Sequence, residues 1–154
     1  MLAAARREPT DVTPVWFMRQ AGRALPEYRK LRETHEILEM AKTPDMATEI
    51  SLMPIRRLHV DAAVLYADIM LVLEGMGLPY YIEPDIGPIV PQPLRTEEDI
   101  ARLRVIPAEE ATPYVFQAIR QIRDAVKDEI AIIGFGGGPF TLACYMIEGK
   151  PSRD

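Results

Sequence analysis

Residues 14–23, PVWFMRQAGR, run from an apolar stretch into an abrupt polar corner. Arg19 and Arg23 flank Gly22, and no acid lies between Asp11 upstream and Glu27 downstream. An arginine presents a planar fork of donors that matches a carboxylate or a phosphate. Two of them beside a glycine fit an anionic ligand that comes close to the backbone. A plainer reading pairs Arg23 with Glu27 at helical spacing and leaves Arg19 on the surface. Arg32 is a third cation a few residues on, and Glu33 and Glu36 beside it also allow a solvated helix face.

Asp68 stands in LYADIM, among apolar neighbours. A carboxylate in such a run needs donors, a cation or a ligand, because burying an unpaired charge is costly. It could instead cap the next turn. Tyr66, two residues earlier, points the same way in a strand and could line the same cavity or simply fill the core. GFGGGPFTLACY, residues 134–145, is the glycine-rich segment. It fails the dinucleotide pattern, which needs glycine where Pro139 stands, and Pro151 after Lys150 breaks the P-loop pattern. What remains is a loop that lets a ligand or a neighbouring segment approach its backbone. Tyr145 follows within the next helix, a position that is usually core. His35, His59 and Cys144 are too far apart in sequence for a zinc pattern, and no metal is expected.

These residues need elements to hold them. PVWFM reads as a first strand and residues 25–41 as a helix rich in good helix formers. Residues 43–59 read as a second helix, with Thr43 as cap, Pro44 in the first position and Asp45 at the positive end of the dipole. Met46, Ile50 and Met53 share one face, and Pro54 should kink the helix or end it early. VDAAVLYADIM, residues 60–70, is a nearly continuous apolar run, as in a strand buried on both faces of a parallel sheet. Residues 78–94 alternate short β-like pieces with Pro and Gly, as in a hairpin. Thr96 caps a short acidic helix start. Val115, Ala118, Ile119, Ile122 and Val126 form one face of an amphipathic helix. EIAIIGF is a third strand, and Pro139 opens the last helix. The candidate residues thus fall just past strand ends, the ligand-binding face of parallel α/β folds.

Strands separated by helices imply parallel βα units. A complete (β/α)8 barrel takes roughly 250 residues. The 154 residues here have room for about three of its eight units, so the expectation is a truncated α/β chain, a partial TIM barrel. Residues 1–13 read as a loose arm and 14–154 as the N-terminal part of one barrel domain. Hydrophobic residues make up 48% of the chain, enough for one core, and 18 basic against 23 acidic residues give a net charge of −5. An acidic chain is a poor generic nucleic-acid binder. With Cys144 alone no intramolecular disulfide forms, which fits a reducing compartment. The N-terminus lacks the long apolar region of a signal peptide, and the uncharged run Ile130–Ile147 is broken by four glycines and a proline. The expectation is a soluble, cytoplasmic protein that does not span a membrane.

PVWFMRQAGRALPEYR resembles the N-terminal signature of the uroporphyrinogen decarboxylase family, and GFGGGPFTLACYMIEG resembles its glycine-loop signature. DAAVLYADI and YVFQAI extend the likeness over nearly the whole chain, from about Thr13 to Asp154. The resemblance implies a distorted (β/α)8 barrel with a cleft at the carboxyl ends of its strands. It implies removal of carboxylate from the four acetate side chains of uroporphyrinogen, giving coproporphyrinogen in haem and porphyrin biosynthesis. It also implies no metal, no organic cofactor and a homodimer.

By position, Arg19, Gln20, Ala21, Gly22 and Arg23 match the substrate-binding segment, and Arg32 an arginine of the same cleft. Asp68 matches the aspartate that binds the pyrrole N–H groups, and Tyr145 the cleft tyrosine. Asp68 and Arg19 are the implied catalytic groups. Ala24 departs from the usual aromatic residue of the first signature. The family's later serine or threonine and histidine lie beyond residue 154, so the isolated chain is expected to be inactive. An arginine stays protonated near neutral pH and is badly matched to proton transfer there, which makes a carboxylate clamp the easier role for Arg19. The alternatives are a corrinoid-protein methyltransferase of the same fold, which would want thiolate and imidazole ligands for zinc, and a non-catalytic fragment.

Overall fold

The structure, a computed structural model, describes residues 1–17, 24–127 and 129–152. The contacts divide the chain into two units: Met1–Tyr66 with Tyr114–Phe135, and Ala67–Pro113 with Gly136–Asp154.

The first unit begins with a one-turn helix, α1 (Leu2–Ala5). The expected first strand is not formed over Pro14–Phe17, its described part. Val15 instead makes a local pairing, its N–H donating to Asp61 Oδ2 at 2.6 Å and its carbonyl accepting from the Asp61 N–H at 2.9 Å. The single helix expected over 25–41 is two, α2 (Pro26–Arg32) and α3 (Ile37–Lys42). The break has a local cause. The Arg32 guanidinium donates to the His35 carbonyl at 2.5 Å, and Glu39 Oε2 accepts the Glu36 N–H at 3.2 Å, as in a reciprocal cap.

Helix α4 (Pro44–Leu58) has Pro44 in its first turn as expected. Thr43 holds the cap position, but its hydroxyl donates back to the Glu39 carbonyl at 2.8 Å and caps nothing. Pro54 does not end the helix, which runs on to His59 in the left-handed region at φ 53°. Ala47, Ile50, Ser51, Leu52 and Pro54 are buried, and that burial offsets the hydrogen bond that proline removes. Met46 and Met53, expected on the buried face with Ile50, stay half-exposed.

Strand β1 (Ala62–Val64) is shorter than the apolar run that contains it. Ser51 explains how α4 fastens its end: the buried hydroxyl donates to the Ala47 carbonyl at 2.6 Å and accepts the Tyr66 N–H at 2.8 Å. The remaining elements follow in chain order: α5 (Leu71–Gly75), β2 (Tyr81–Glu83), β3 (Gly87–Ile89), α6 (Glu97–Ala101), α7 (Ala108–Ala111), α8 (Pro113–Val126), β4 (Ala131–Ile133) and α9 (Pro139–Glu148).

Within the first unit β4 pairs in parallel with β1, Ala62 opposite Ala131 and Val64 opposite Ile133. Helix α8 buries Ala118, Ile122 and Val126 of its expected face and leaves Val115 and Ile119 half-buried. Thr48 donates to Gln121 Oε1 at 2.7 Å, and Gln121 Nε2 to Asp45 Oδ1 at 2.7 Å, which fastens α4 to α8. The second unit holds the expected hairpin, β2 antiparallel to β3, with positive φ at Asp85 in its turn and at Gly87 where β3 begins. Thr96 caps α6 as expected, accepting the Asp99 N–H at 3.2 Å. Helix α5 was not foreseen; Gly75 lets it meet α7, since a Cβ there would lie 2.5 Å from the Ala111 Cβ.

Candidate active site beyond strand β1

Beyond Val64 the chain stays beside its partner for one residue, the Leu65 N–H donating to the Ile133 carbonyl at 3.0 Å. Tyr66, still in the first unit, then turns its hydroxyl to that of Tyr28 on α2, 3.0 Å away, with the two rings tilted at 59°. Tyr66 is therefore a half-buried hydroxyl bonded to another hydroxyl.

Asp68 is the second residue of the second unit. Its Oδ1 accepts two hydrogen bonds, from the Met70 N–H at 2.9 Å and from the Tyr80 hydroxyl at 2.7 Å. The first closes an Asx turn, the local device by which aspartate stabilises a bend. The second comes from a 5% exposed side chain just ahead of β2. Oδ2 accepts no hydrogen bond from the described residues. The turn is held from a further side by the glycine loop, where the Gly137 N–H donates to the Ile69 carbonyl at 3.3 Å. A Cβ at Gly137 would lie 3.0 Å from that carbonyl and 2.7 Å from Leu142 Cδ2, so the close approach requires glycine. At Gly136 and Gly138 a Cβ would meet nothing within 4 Å. The loop therefore does what was expected of it at Gly137, where a chain segment approaches its backbone.

Tyr145 is half-buried on α9 in the same unit. Two backbone bonds fasten the end of that helix to the chain leaving the hairpin: Leu94 N–H to the Met146 carbonyl at 2.8 Å and Val90 N–H to the Gly149 carbonyl at 2.7 Å.

Arg32, in the first unit, is about one-third exposed and lies 3.8 Å from Glu36 besides its bond to the His35 carbonyl. Its Nε and Nη2 donate to nothing among the described residues. Next to it, His35 Nδ1 lies 2.9 Å from Glu39 Oε1. That hydrogen bond, followed by the Glu36 N–H, holds the Glu39 carboxyl below its ordinary range. Arg19, Gln20, Ala21, Gly22 and Arg23 lie outside the described residues. Glu27, the acid offered to Arg23 by the plainer reading, is 3.6 Å from Arg57 Nη1. Among the described residues no group of three His, Cys, Asp or Glu could hold a metal ion, and no helix is long and apolar enough to cross a membrane. Tyr80 was missed by sequence reasoning. Its sequence signal was its place within the expected hairpin of residues 78–94, which names no partner for its hydroxyl.

A family model described as uroporphyrinogen decarboxylase (URO-D) matches residues 1–154. This chain belongs to the uroporphyrinogen decarboxylase family. It is 52% identical over 153 residues to the uroporphyrinogen decarboxylase of Roseiflexus sp. (strain RS-1), covering 99% of this chain and 44% of that relative. The uroporphyrinogen decarboxylase of Carboxydothermus hydrogenoformans is 50% identical over the same shares of the two chains. The chain thus spans less than half the length of the curated relatives it matches. Among solved structures, a methyltransferase from Methanosarcina mazei superimposes with a TM-score of 0.69 at 25% identity, over 95% of this chain and 43% of that one. The α/β class expected from the sequence agrees with the helices and strands observed.

Proposed function

We propose that this chain supplies part of a uroporphyrinogen decarboxylase, which removes carbon dioxide from the four acetate side chains of uroporphyrinogen III to give coproporphyrinogen III. The observation that carries the reading is the Asp68 carboxylate, pinned at one oxygen by two donors, with Oδ2 accepting nothing from the described residues. It stands just past a parallel strand in a chain that the family matches throughout.

The chemistry needs somewhere for an electron pair to go. Protonating a pyrrole ring carbon makes the ring cationic. The bond to the acetate carboxyl then breaks, carbon dioxide leaves, and the electron pair moves into that ring. A proton added to the resulting methylene and a proton lost from the ring carbon restore the pyrrole, now bearing a methyl group. The substrate thus supplies its own electron sink, and the reading assigns no metal or organic cofactor. Asp68 accepts the pyrrole N–H groups and stabilises the cation, an effect commonly worth on the order of 10²–10³ in rate. Arg19 and Arg23 take substrate carboxylates, and Gln20, Ala21 and Gly22 belong to the same substrate-binding segment. Arg32, oriented by the His35 carbonyl, keeps two nitrogens for a further carboxylate. Tyr145 contacts the macrocycle.

In this reading residues 14–154 form about the first three βα units of a distorted (β/α)8 barrel, with 1–13 as an arm. The complete enzyme works in the cytoplasm as a homodimer. The test is a turnover assay on a protein of the relatives' length that carries residues 1–154, with a chelator present. Coproporphyrinogen III is the expected product, and unchanged uroporphyrinogen III would overturn the reading. The 154-residue chain alone is expected to give none. A second reading, corrinoid-linked methyl transfer, draws on the Methanosarcina match, but 25% identity there against 52% to a decarboxylase puts it second. Stoichiometric zinc in a protein that makes no coproporphyrinogen would favour it.

A further inference from the structure

We infer that Tyr80 is a positioning residue for Asp68: its hydroxyl fixes Oδ1 so that Oδ2 is presented to the pyrrole N–H groups. The inference rests on the role of Asp68 proposed above. A carboxylate at the end of a short side chain has two torsions to settle. The Met70 N–H, two residues on, holds Oδ1 to its own turn, but a single bond leaves the carboxylate free to swivel about it. Tyr80 adds a second donor to the same oxygen, at 2.7 Å, from twelve residues further along the chain. Two donors from different directions fix both the oxygen and the plane of the group.

The platform beneath Tyr80 is itself held. Tyr80 is 5% exposed at the entrance to β2, whereas Tyr81, the first residue of that strand, is 45% exposed. The hairpin is paired through three residues on each strand, and its exit is fastened to the end of α9 through Val90 and Leu94. The Asp68 turn is also held at Ile69 by the Gly137 N–H. A charge prepared in this way does not have to reorganise when the ring becomes cationic, which is where electrostatic catalysis gains its rate. The bond to Tyr80 therefore acts on the chemical step more than on binding.

Tyr80→Phe keeps the buried ring and removes only the hydroxyl. In a protein of the relatives' length that carries this chain, kcat for uroporphyrinogen III should fall on the order of ten-fold, the loss of one hydrogen bond to a charged group. KM should stay within about two-fold. A merely structural tyrosine would reduce the fraction of folded enzyme, counted by titration of binding sites, and leave turnover per site unchanged. That result would overturn the inference. Tyr81→Phe, next in the chain and exposed, is the matched control and should keep wild-type kcat. An equal loss of kcat in both variants would also overturn it. Asp68→Asn separates this inference from the reading beneath it. If Asp68→Asn keeps wild-type turnover, the role of Asp68 fails and the inference fails with it. If Asp68→Asn loses turnover while Tyr80→Phe does not, only the inference fails.

Discussion

Asp68 and Arg32 are both half-buried charged groups with one side committed and one side left over, but they are committed differently. Asp68 is held by its own turn and by a buried hydroxyl from a separate element, and the turn is fastened again at Ile69. Arg32 is held by a carbonyl three residues on and by an exposed glutamate four residues on, both local to its own helix end. A short side chain fixed through tertiary contacts places a charge at one point, which suits stabilising a cation that forms during a reaction. A long side chain fixed through local contacts can swing, which suits capturing a flexible carboxylate arm. The difference predicts that Asp68 acts chiefly on kcat and Arg32 chiefly on KM.

In a protein of the relatives' length that carries this chain, several substitutions test that contrast. The largest effect short of removing Asp68 should come from Gly137→Ala. Its Cβ would press on the Ile69 carbonyl and on Leu142, overpacking that costs about 1–3 kcal/mol. The loss should be visible as a lower urea midpoint at unchanged slope and should bring kcat down with it. Gly136→Ala, where a Cβ meets nothing within 4 Å, should change neither. Next, Arg32→Ala should raise KM on the order of ten-fold and leave kcat within about two-fold. A drop in kcat alone would erase the distinction between the two residues.

The smallest effect belongs to Asp99, a carboxylate with no site role. The Arg95 and Thr96 backbone N–H groups hold its carboxyl below the ordinary aspartate range. Because the folded value is the lower one, the cap's contribution is complete above the ordinary range and is lost as the pH falls through the depressed value. Asp99→Asn should therefore lose helical signal slightly at neutral pH, show a weaker loss than wild type on acidification, and keep wild-type kcat.

Much of the local structure was legible because it depends on neighbours in sequence. The Thr96 cap, the Pro139 start of α9, the hairpin within residues 78–94 and the buried Ala118, Ile122 and Val126 of α8 all follow from spacing over a few residues. The sequence signals misled where distant packing or an unexpected local bond decided the outcome. Pro54 reads as a stop until the burial around it is known. Residues 25–41 read as one helix until Arg32 turns its guanidinium to the His35 carbonyl. The candidate site shows the same division. Asp68 was legible as a charge in an apolar run, and its Asx turn was one of the readings open to it. Tyr80 was not, because nothing in a hairpin sequence says which distant carboxylate its tyrosine will meet.

On the proposed reading the Asp68 charge stabilises the transition state rather than the bound substrate. Asp68→Asn keeps the size of the side chain and an oxygen that can accept from Tyr80 and Met70, while removing the charge. The decisive measurement is kcat and the dissociation constant for uroporphyrinogen III, taken side by side for wild type and Asp68→Asn in a protein of the relatives' length that carries this chain. A fall in kcat on the order of 10²–10³ with a dissociation constant within about three-fold is the predicted result. Equal kcat in the two proteins, or a loss confined to binding, would contradict it.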